Sequence, residues 1–210
     1  MTCINSQEIL ADANELLELT RSYVAGYSNG DSESILGVQL ALIHKSGAQL
    51  YDRLNGIDDS KLLTKSRREE LFAVLQSYAH IGIGGASAAE IDRINILAAT
   101  LRAMGRAVDD LGIVPDLALI DGNRTPELAC PATAVVRGDR ASLSIAAASI
   151  VAKVTRDRIM AALARRHPGF GWERNAGYGT MEHKQALTRL GVTPHHRKTF
   201  APINKILSLS

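Results

Sequence analysis

Two aspartates stand where chemistry is expected. Asp121 ends the apolar run Leu117-Ala118-Leu119-Ile120 and precedes Gly122-Asn123. Open α/β sheets place ligands at strand C-termini, and a carboxylate there is suited to hold a metal ion. The same Asp-Gly-Asn text also has the composition of a plain turn. Asp157 follows Ser149 and Lys153 at intervals of four. On a helix that spacing draws one polar stripe along a surface otherwise rich in Ala, Ile and Val. Ser149 and Lys153 can then contact phosphates while Asp157 faces a metal. The competing reading is a Lys153–Asp157 surface pair that contributes only about 0.3 kcal/mol.

Two loops add binding chemistry. Gly177-Tyr178-Gly179-Thr180 sets a tyrosine between glycines, so a backbone can approach closely and the ring can stack on a sugar or base. A loop with a half-buried tyrosine would look the same. His195-His196-Arg197-Lys198 is a basic cluster suited to phosphates, with Arg197 as a candidate contact. Its adjacent histidines lack zinc-motif spacing and are expected to be solvated. Gly82, Gly84 and Gly85 match neither a Walker loop nor GxGxxG, and no GxSxG occurs. The single tryptophan, Trp172, reads as packing.

The elements that must position these residues alternate. Residues 1–20 read as a short amphipathic helix, and Tyr23–Tyr27, Ile35–Ile43 and Gln49–Tyr51 as strands. Thr64 is a possible N-cap for a helix reaching about Tyr78. Ile81–Ile83 is a short strand, Ser87 starts a brief helix, and a longer helix covers Ile96–Leu111. Strands are expected at Leu117–Asp121 and Thr133–Val136, and helices at Ser144 to about Arg166 and Thr180–Leu190. Early strands followed by alternating helices predict an α/β domain with a mixed sheet.

Composition narrows the setting. The chain has 210 residues, 46% apolar and 22% charged, ordinary values for one globular domain with at most a small appendage. Two cysteines without a CxxC pair, Cys3 and Cys130, exclude a disulfide scaffold and fit a reducing compartment. The start MTCINSQEIL lacks signal-peptide features, and Leu143–Val154 is too short to span a bilayer. A cytoplasmic location without membrane contact is expected. Charge is divided unevenly: residues 1–150 carry 13 Lys/Arg against 19 Asp/Glu, and residues 151–210 carry 11 against 3. A basic C-terminal third predicts a polyanionic partner, because Lys and Arg displace counterions from nucleic acid; otherwise it is only a solvated face.

Taken together, the segments resemble ribonuclease HII, the type 2 ribonuclease H of bacteria. The matching text is Gly56-Ile57-Asp58-Asp59-Ser60-Lys61-Leu62, Ile91–Thr100, Leu119-Ile120-Asp121-Gly122-Asn123, Ala147–Asp157, Gly177-Tyr178-Gly179-Thr180 and His195–Pro202. These occur in the family's order over about residues 22–205. The resemblance implies a ribonuclease H-like fold with a C-terminal helical portion. Its domain would be 21–210, with a basic helical part from about 160 and residues 1–20 as an N-terminal extension. It implies hydrolysis of RNA in RNA–DNA hybrids or at ribonucleotides embedded in DNA duplex, by a monomer using Mg²⁺ or Mn²⁺ held by four carboxylates. Asp121 and Asp157 match two of those four. Tyr178 matches the tyrosine that packs at the RNA-to-DNA junction, and Lys61, Ser149 and Lys153 match phosphate-contacting positions.

One segment departs from the family. After its first strand the family has an adjacent Asp-Glu pair and then a Gly-Arg-Gly-Pro turn that reads the 2′-hydroxyl. Aligned without gaps between Gly26 and Gly37, this chain has Ser28-Asn29 and Asp31-Ser32-Glu33-Ser34. Each carboxylate lost at about 4 Å removes on the order of 4 kcal/mol of attraction per unit of positive charge, at an effective dielectric near 20. The expectation is one ion rather than two at Asp121 and Asp157, with cleavage impaired or absent. Asp31 and Glu33, two apart in extended chain, share a face and are the alternative donors. A non-catalytic hybrid-binding protein is the alternative function.

Overall fold

The computed structural model describes residues 35–44, by their backbone, and residues 63–208. The expected helix over 1–20 and strands at Tyr23–Tyr27 and Gln49–Tyr51 lie outside the described residues. Strand β1 (Ile35–His44) runs antiparallel to β2 (Ala79–Ser87), with Ile35 opposite Ser87, His44 opposite Ala79, and an irregularity between Ile35 and Gly37. Helix α1 (Lys65–Tyr78) precedes β2 and starts at Thr64, whose hydroxyl accepts from the Arg67 amide at 3.2 Å. An unmet amide donor at a helix start is satisfied most cheaply by such a side chain.

β2 is longer than Ile81–Ile83 because its glycines serve packing. Helix α2 (Ala88–Ile94) begins at the Ser87 cap, and α3 (Ile96–Asp110) follows with Ala99, Ala103 and Ala107 buried along one stripe. A Cβ on Gly82 would stand 2.0 Å from the Ala107 carbonyl oxygen, and one on Gly84 2.0 Å from that of Ala103. The strand's period of two thus meshes with the helix's period of four only if both partners are small. That close approach, rather than a phosphate loop, accounts for these glycines. Arg106 of α3 then ties the unit together, donating to both carboxylate oxygens of Glu90 at 2.7 and 2.8 Å and to the Gly85 carbonyl at 2.6 Å.

The second strand pair is parallel: β3 (Ala118–Asp121) lies beside β4 (Ala132–Val135). After the short α4 (Gly138–Ala141) comes α5 (Leu143–Arg166), about 36 Å long at 1.5 Å per residue. The chain ends in α6 (Trp172–Asn175), α7 (Met181–Leu190) and α8 (Ala201–Leu207). α5 belongs to two cores. Ala146, Ala147, Ile150, Val151 and Val154 pack with Leu71, Phe72 and Leu75 of α1 and with Ala79 and Ile81 of β2. Further along, Ile159, Met160 and Leu163 pack with Phe170, Trp172, Leu187 and Ile203. The helix therefore fixes the C-terminal helical portion relative to the strands. The expected α/β class with both strand senses and flanking helices is observed. Among the described residues, no helix is long and apolar enough to cross a membrane.

Candidate functional site

Asp121 sits at the exposed C-terminal end of β3, where its strand stops because Gly122 turns the chain at φ +114°. Its Oδ1 accepts from the Gly138 amide at 2.8 Å. A Cβ on Gly138 would lie 2.4 Å from Ile145 Cδ1 and 3.3 Å from that same Oδ1. Gly138→Ala is therefore expected to cost about 1–3 kcal/mol through overpacking and to push the Asp121 carboxylate from its place. Urea unfolding checks the first part, since an unchanged midpoint would contradict so close a contact.

The polar stripe on α5 forms as its spacing predicts. Lys153 and Asp157 are ion-paired and both largely covered, with 31% and 17% of their side chains exposed. Ser149 is half-buried, and its hydroxyl donates to the Ala146 carbonyl at 2.7 Å within its own helix. Beside the stripe, the Tyr178 ring is 58% exposed, with the Arg156 guanidinium 5.0 Å and the Lys153 ammonium 5.9 Å from its centroid. An exposed tyrosine with two cations beside its ring is suited to stack on a base or sugar while the cations meet its phosphates.

The loop that carries Tyr178 is built by its neighbours. Ala176 and Gly177 are both left-handed, at φ +47° and +80°, which only the second residue adopts without cost. Buried Asn175 holds the bend: its amide nitrogen donates to the Phe170 carbonyl at 2.8 Å, and its oxygen accepts from the Gly177 amide at 2.9 Å. Thr180 then caps α7 by accepting from the His183 amide at 3.3 Å.

Arg197 is half-buried, its guanidinium 4.8 Å over the Phe200 ring. Its loop is pinned by Asp92 of α2, which accepts from the amides of Lys198 and Thr199 at 2.7 and 2.9 Å and from the Thr199 hydroxyl at 2.5 Å. Burial alone would raise the Asp92 pKa. The hydrogen bonds from Thr199 and Lys198 and the charge of Arg197 outweigh it and hold the carboxyl below its ordinary range. The two histidines before Arg197 correct the expected solvated cluster. His196 is buried, His195 is half-buried, and burial pushes both down to about 4. They are neutral core groups, not phosphate ligands.

The structure thus gathers Lys153, Asp157 and Tyr178, and adds Arg156, which sequence reasoning did not single out. No hydrogen bond or ion pair among the described residues joins Asp121, Ser149 or Arg197 to that group. Lys61, Ser28, Asn29, Asp31 and Glu33 lie outside the described residues.

A family profile described as Ribonuclease HII matches residues 37–203. The chain belongs to the ribonuclease HII family. It is 63% identical over 150 residues to a ribonuclease HII of Paramagnetospirillum magneticum, covering 71% of this chain and 75% of that one. To a ribonuclease HII of Rhodospirillum rubrum it is 61% identical over 175 residues, 82% and 80% of the two chains. In three dimensions it resembles the ribonuclease H2 of Pyrococcus horikoshii (TM-score 0.67, 23% identity, 86% and 94% covered). It also resembles a chain of the PCNA:RNase HII complex of Archaeoglobus fulgidus (TM-score 0.63, 21% identity, 80% and 90% covered). These two likenesses establish the ribonuclease H-like fold.

Ribonuclease HII enzymes are endoribonucleases that use divalent metal ions. Two of the residues that would hold such ions by the family resemblance, Asp121 and Asp157, lie among the described residues. Among the described residues no group of three or more His, Cys, Asp or Glu side chains is arranged around a common point. Of the two family carboxylates, Asp121 is held by the Gly138 amide and Asp157 by Lys153. Two carboxylates carry half the charge of two divalent ions.

Proposed function

We propose that this ribonuclease HII-type chain binds RNA–DNA hybrids, or duplex carrying an embedded ribonucleotide, and hydrolyses the phosphodiester weakly or not at all. The observation that carries the reading is Ser28-Asn29 in place of the family's Asp-Glu pair. With Asp121 and Asp157 alone, a single Mg²⁺ or Mn²⁺ can be held with water completing its shell, since Mg²⁺ is often bound by one or two carboxylates. A pair of ions cannot be neutralised. Binding is supported by Tyr178, whose exposed ring receives a nucleotide while the adjacent Lys153 and Arg156 meet the phosphates; Arg197, Lys61 and Ser149 are taken as further phosphate contacts. The domain is taken as residues 21–210, acting as a monomer in the cytoplasm.

The test pairs two measurements on one substrate, a DNA duplex with a single internal ribonucleotide. Cleavage in Mg²⁺ and in Mn²⁺ is expected to be far below that of an active ribonuclease HII assayed alongside, and normal turnover would overturn the reading. Anisotropy in EDTA is expected to show affinity that falls steeply with salt. Three or four phosphate contacts at roughly 0.9 each give a log–log slope of about −3. Undetectable binding at low salt would remove the nucleic-acid part of the proposal.

A further inference from the structure

His183 and His196 are buried beside the stacked rings of Phe170 and Trp172, and their hydrogen-bond partners select one tautomer for each ring. His183 Nδ1 lies 3.0 Å from the Tyr178 carbonyl oxygen, which can only accept, so Nδ1 carries the proton. The Trp172 indole nitrogen, which can only donate, lies 3.2 Å from His183 Nε2, so Nε2 is bare. On the other ring, His196 Nδ1 accepts from the Thr193 amide at 3.0 Å and is therefore bare as well. Its proton must then sit on Nε2, 3.1 Å from His183 Nε2, to which it donates. The one lone pair of His183 Nε2 is thus shared between the Trp172 and His196 N–H groups.

The resulting chain runs from Thr193 through His196 and His183 to the main chain of Tyr178. It joins the loop that carries Arg197 to the loop that carries Tyr178. The Tyr178 carbonyl has one other partner, the Thr180 amide at 2.8 Å, two residues along the same loop. His183 thus adds a second anchor of this turn to the packed interior, beside buried Asn175, whose carbonyl accepts from the Tyr178 amide at 2.8 Å, while the Tyr178 side chain is exposed. Metal-ligating carboxylates play no part in the chain.

We infer that His183, held in its Nδ1–H form by Trp172 and His196, is a positioning residue that presents Tyr178 to the nucleic acid. This rests on the reading of Tyr178 as a nucleotide contact. A carbonyl anchored in the core lets an exposed ring keep one orientation without ordering on binding, and pre-ordering of that kind saves conformational entropy in the complex.

Two variants separate positioning from mere stability. His183→Ala removes the donor to Tyr178. His183→Asn keeps an amide N–H near the place of Nδ1 but gives Trp172 and His196 no acceptor. Both are expected to lower the melting temperature. Only His183→Ala is expected to weaken binding of the ribonucleotide-containing duplex, by about tenfold, the scale of one lost stacking contact. Tyr178→Ala is expected to match it, and the double variant to be no weaker than either single one. His183→Asn should bind at wild-type strength; if it binds as weakly as His183→Ala, or if His183→Ala binds normally, the inference is overturned. Amide hydrogen exchange over residues 176–182, measured without nucleic acid, decides the matter should the wild-type chain fail to bind duplex. Faster exchange in His183→Ala but not in His183→Asn supports the inference, and equal exchange in both overturns it. Failure of wild-type binding alone tells only against the proposed function.

Discussion

Replacing Ser28 by Asp and Asn29 by Glu is expected to raise cleavage at an embedded ribonucleotide by at least about 100-fold. The two carboxylates restore the two negative charges that the family carries at these positions. At an effective dielectric near 20, each is worth on the order of 4 kcal/mol per unit of positive charge at about 4 Å, or about 8 kcal/mol toward a divalent ion. Water and substrate phosphates already supply part of that in the present chain, so only a fraction reappears as rate. Even about 2.7 kcal/mol, roughly a sixth of the gross gain, is two powers of ten. The experiment compares single-turnover cleavage by the wild-type and doubly substituted chains in Mg²⁺. A gain places the defect in the metal ligands alone and shows that the rest of the scaffold is competent. No gain at unchanged duplex affinity would refute a ligand-only defect. The cause would then lie with Asp31-Ser32-Glu33-Ser34, which puts two negative charges where the family offers glycine backbone.

What could be read from the sequence was what local chemistry controls. The stripe Ser149-Lys153-Asp157 is set by helical period alone, and Thr64, Ser87 and Thr180 each act as a cap on an amide three residues ahead. Lys153 is paired with Asp157, as the surface-pair reading of the stripe has it, and it also stands beside Tyr178. The short helices α4, α6 and α8 were not legible: four to seven residues carry little periodicity, and none of the three begins at a side-chain cap like the Ser87 that announced the seven-residue α2. Contacts across long separations were hidden for another reason. Asp92 reaches Lys198 over 106 residues, and nothing in Ile91-Asp92-Arg93 announces a loop anchor. Gly82 and Gly84 looked like a failed phosphate loop because their partner, the α3 backbone, is defined only by packing. The histidines were misplaced for the same cause. In the text, His195-His196-Arg197-Lys198 is polar and basic, yet Phe170, Trp172 and His183 enclose His196 from other elements.

That enclosure makes the fold acid-sensitive before its carboxylates titrate. His195 and His196 fall from 6.5 to about 4, first because burial disfavours the imidazolium. His167 and Arg166 add repulsion at His195, and His183, His195 and His167 add it at His196. A second proton on His195 Nδ1 would be buried with no acceptor among the described residues, and the burial of His196 outweighs the backbone hydrogen bond with Thr193, which acts the other way. Between pH 6.5 and about 4 the unfolded chain binds protons that the native chain refuses, so stability rises with pH across that window and is lost as pH falls through it. Above 6.5 the two groups contribute no pH dependence. Glu90, lowered chiefly by its Arg106 hydrogen bond, and Asp92 act in a lower window; they stabilise above 4.5 and 3.8 and stop doing so beneath. Each pKa unit is nominally about 1.4 kcal/mol. Discounted heavily for solvent around half-exposed His195, the pair is expected to remove about 2–3 kcal/mol between roughly pH 7 and 4.5. Urea midpoints measured across that range should fall steadily, with most of the fall complete before the carboxylates titrate. In the double variant His195→Gln/His196→Gln, the amide introduced at position 196 can still donate to His183. Its profile should flatten above about pH 4.5 while the absolute midpoint drops. A wild-type profile already flat over the same range would mean that these imidazoles take up protons in the folded chain, and the tautomer chain from Thr193 to Tyr178 could not then exist as drawn.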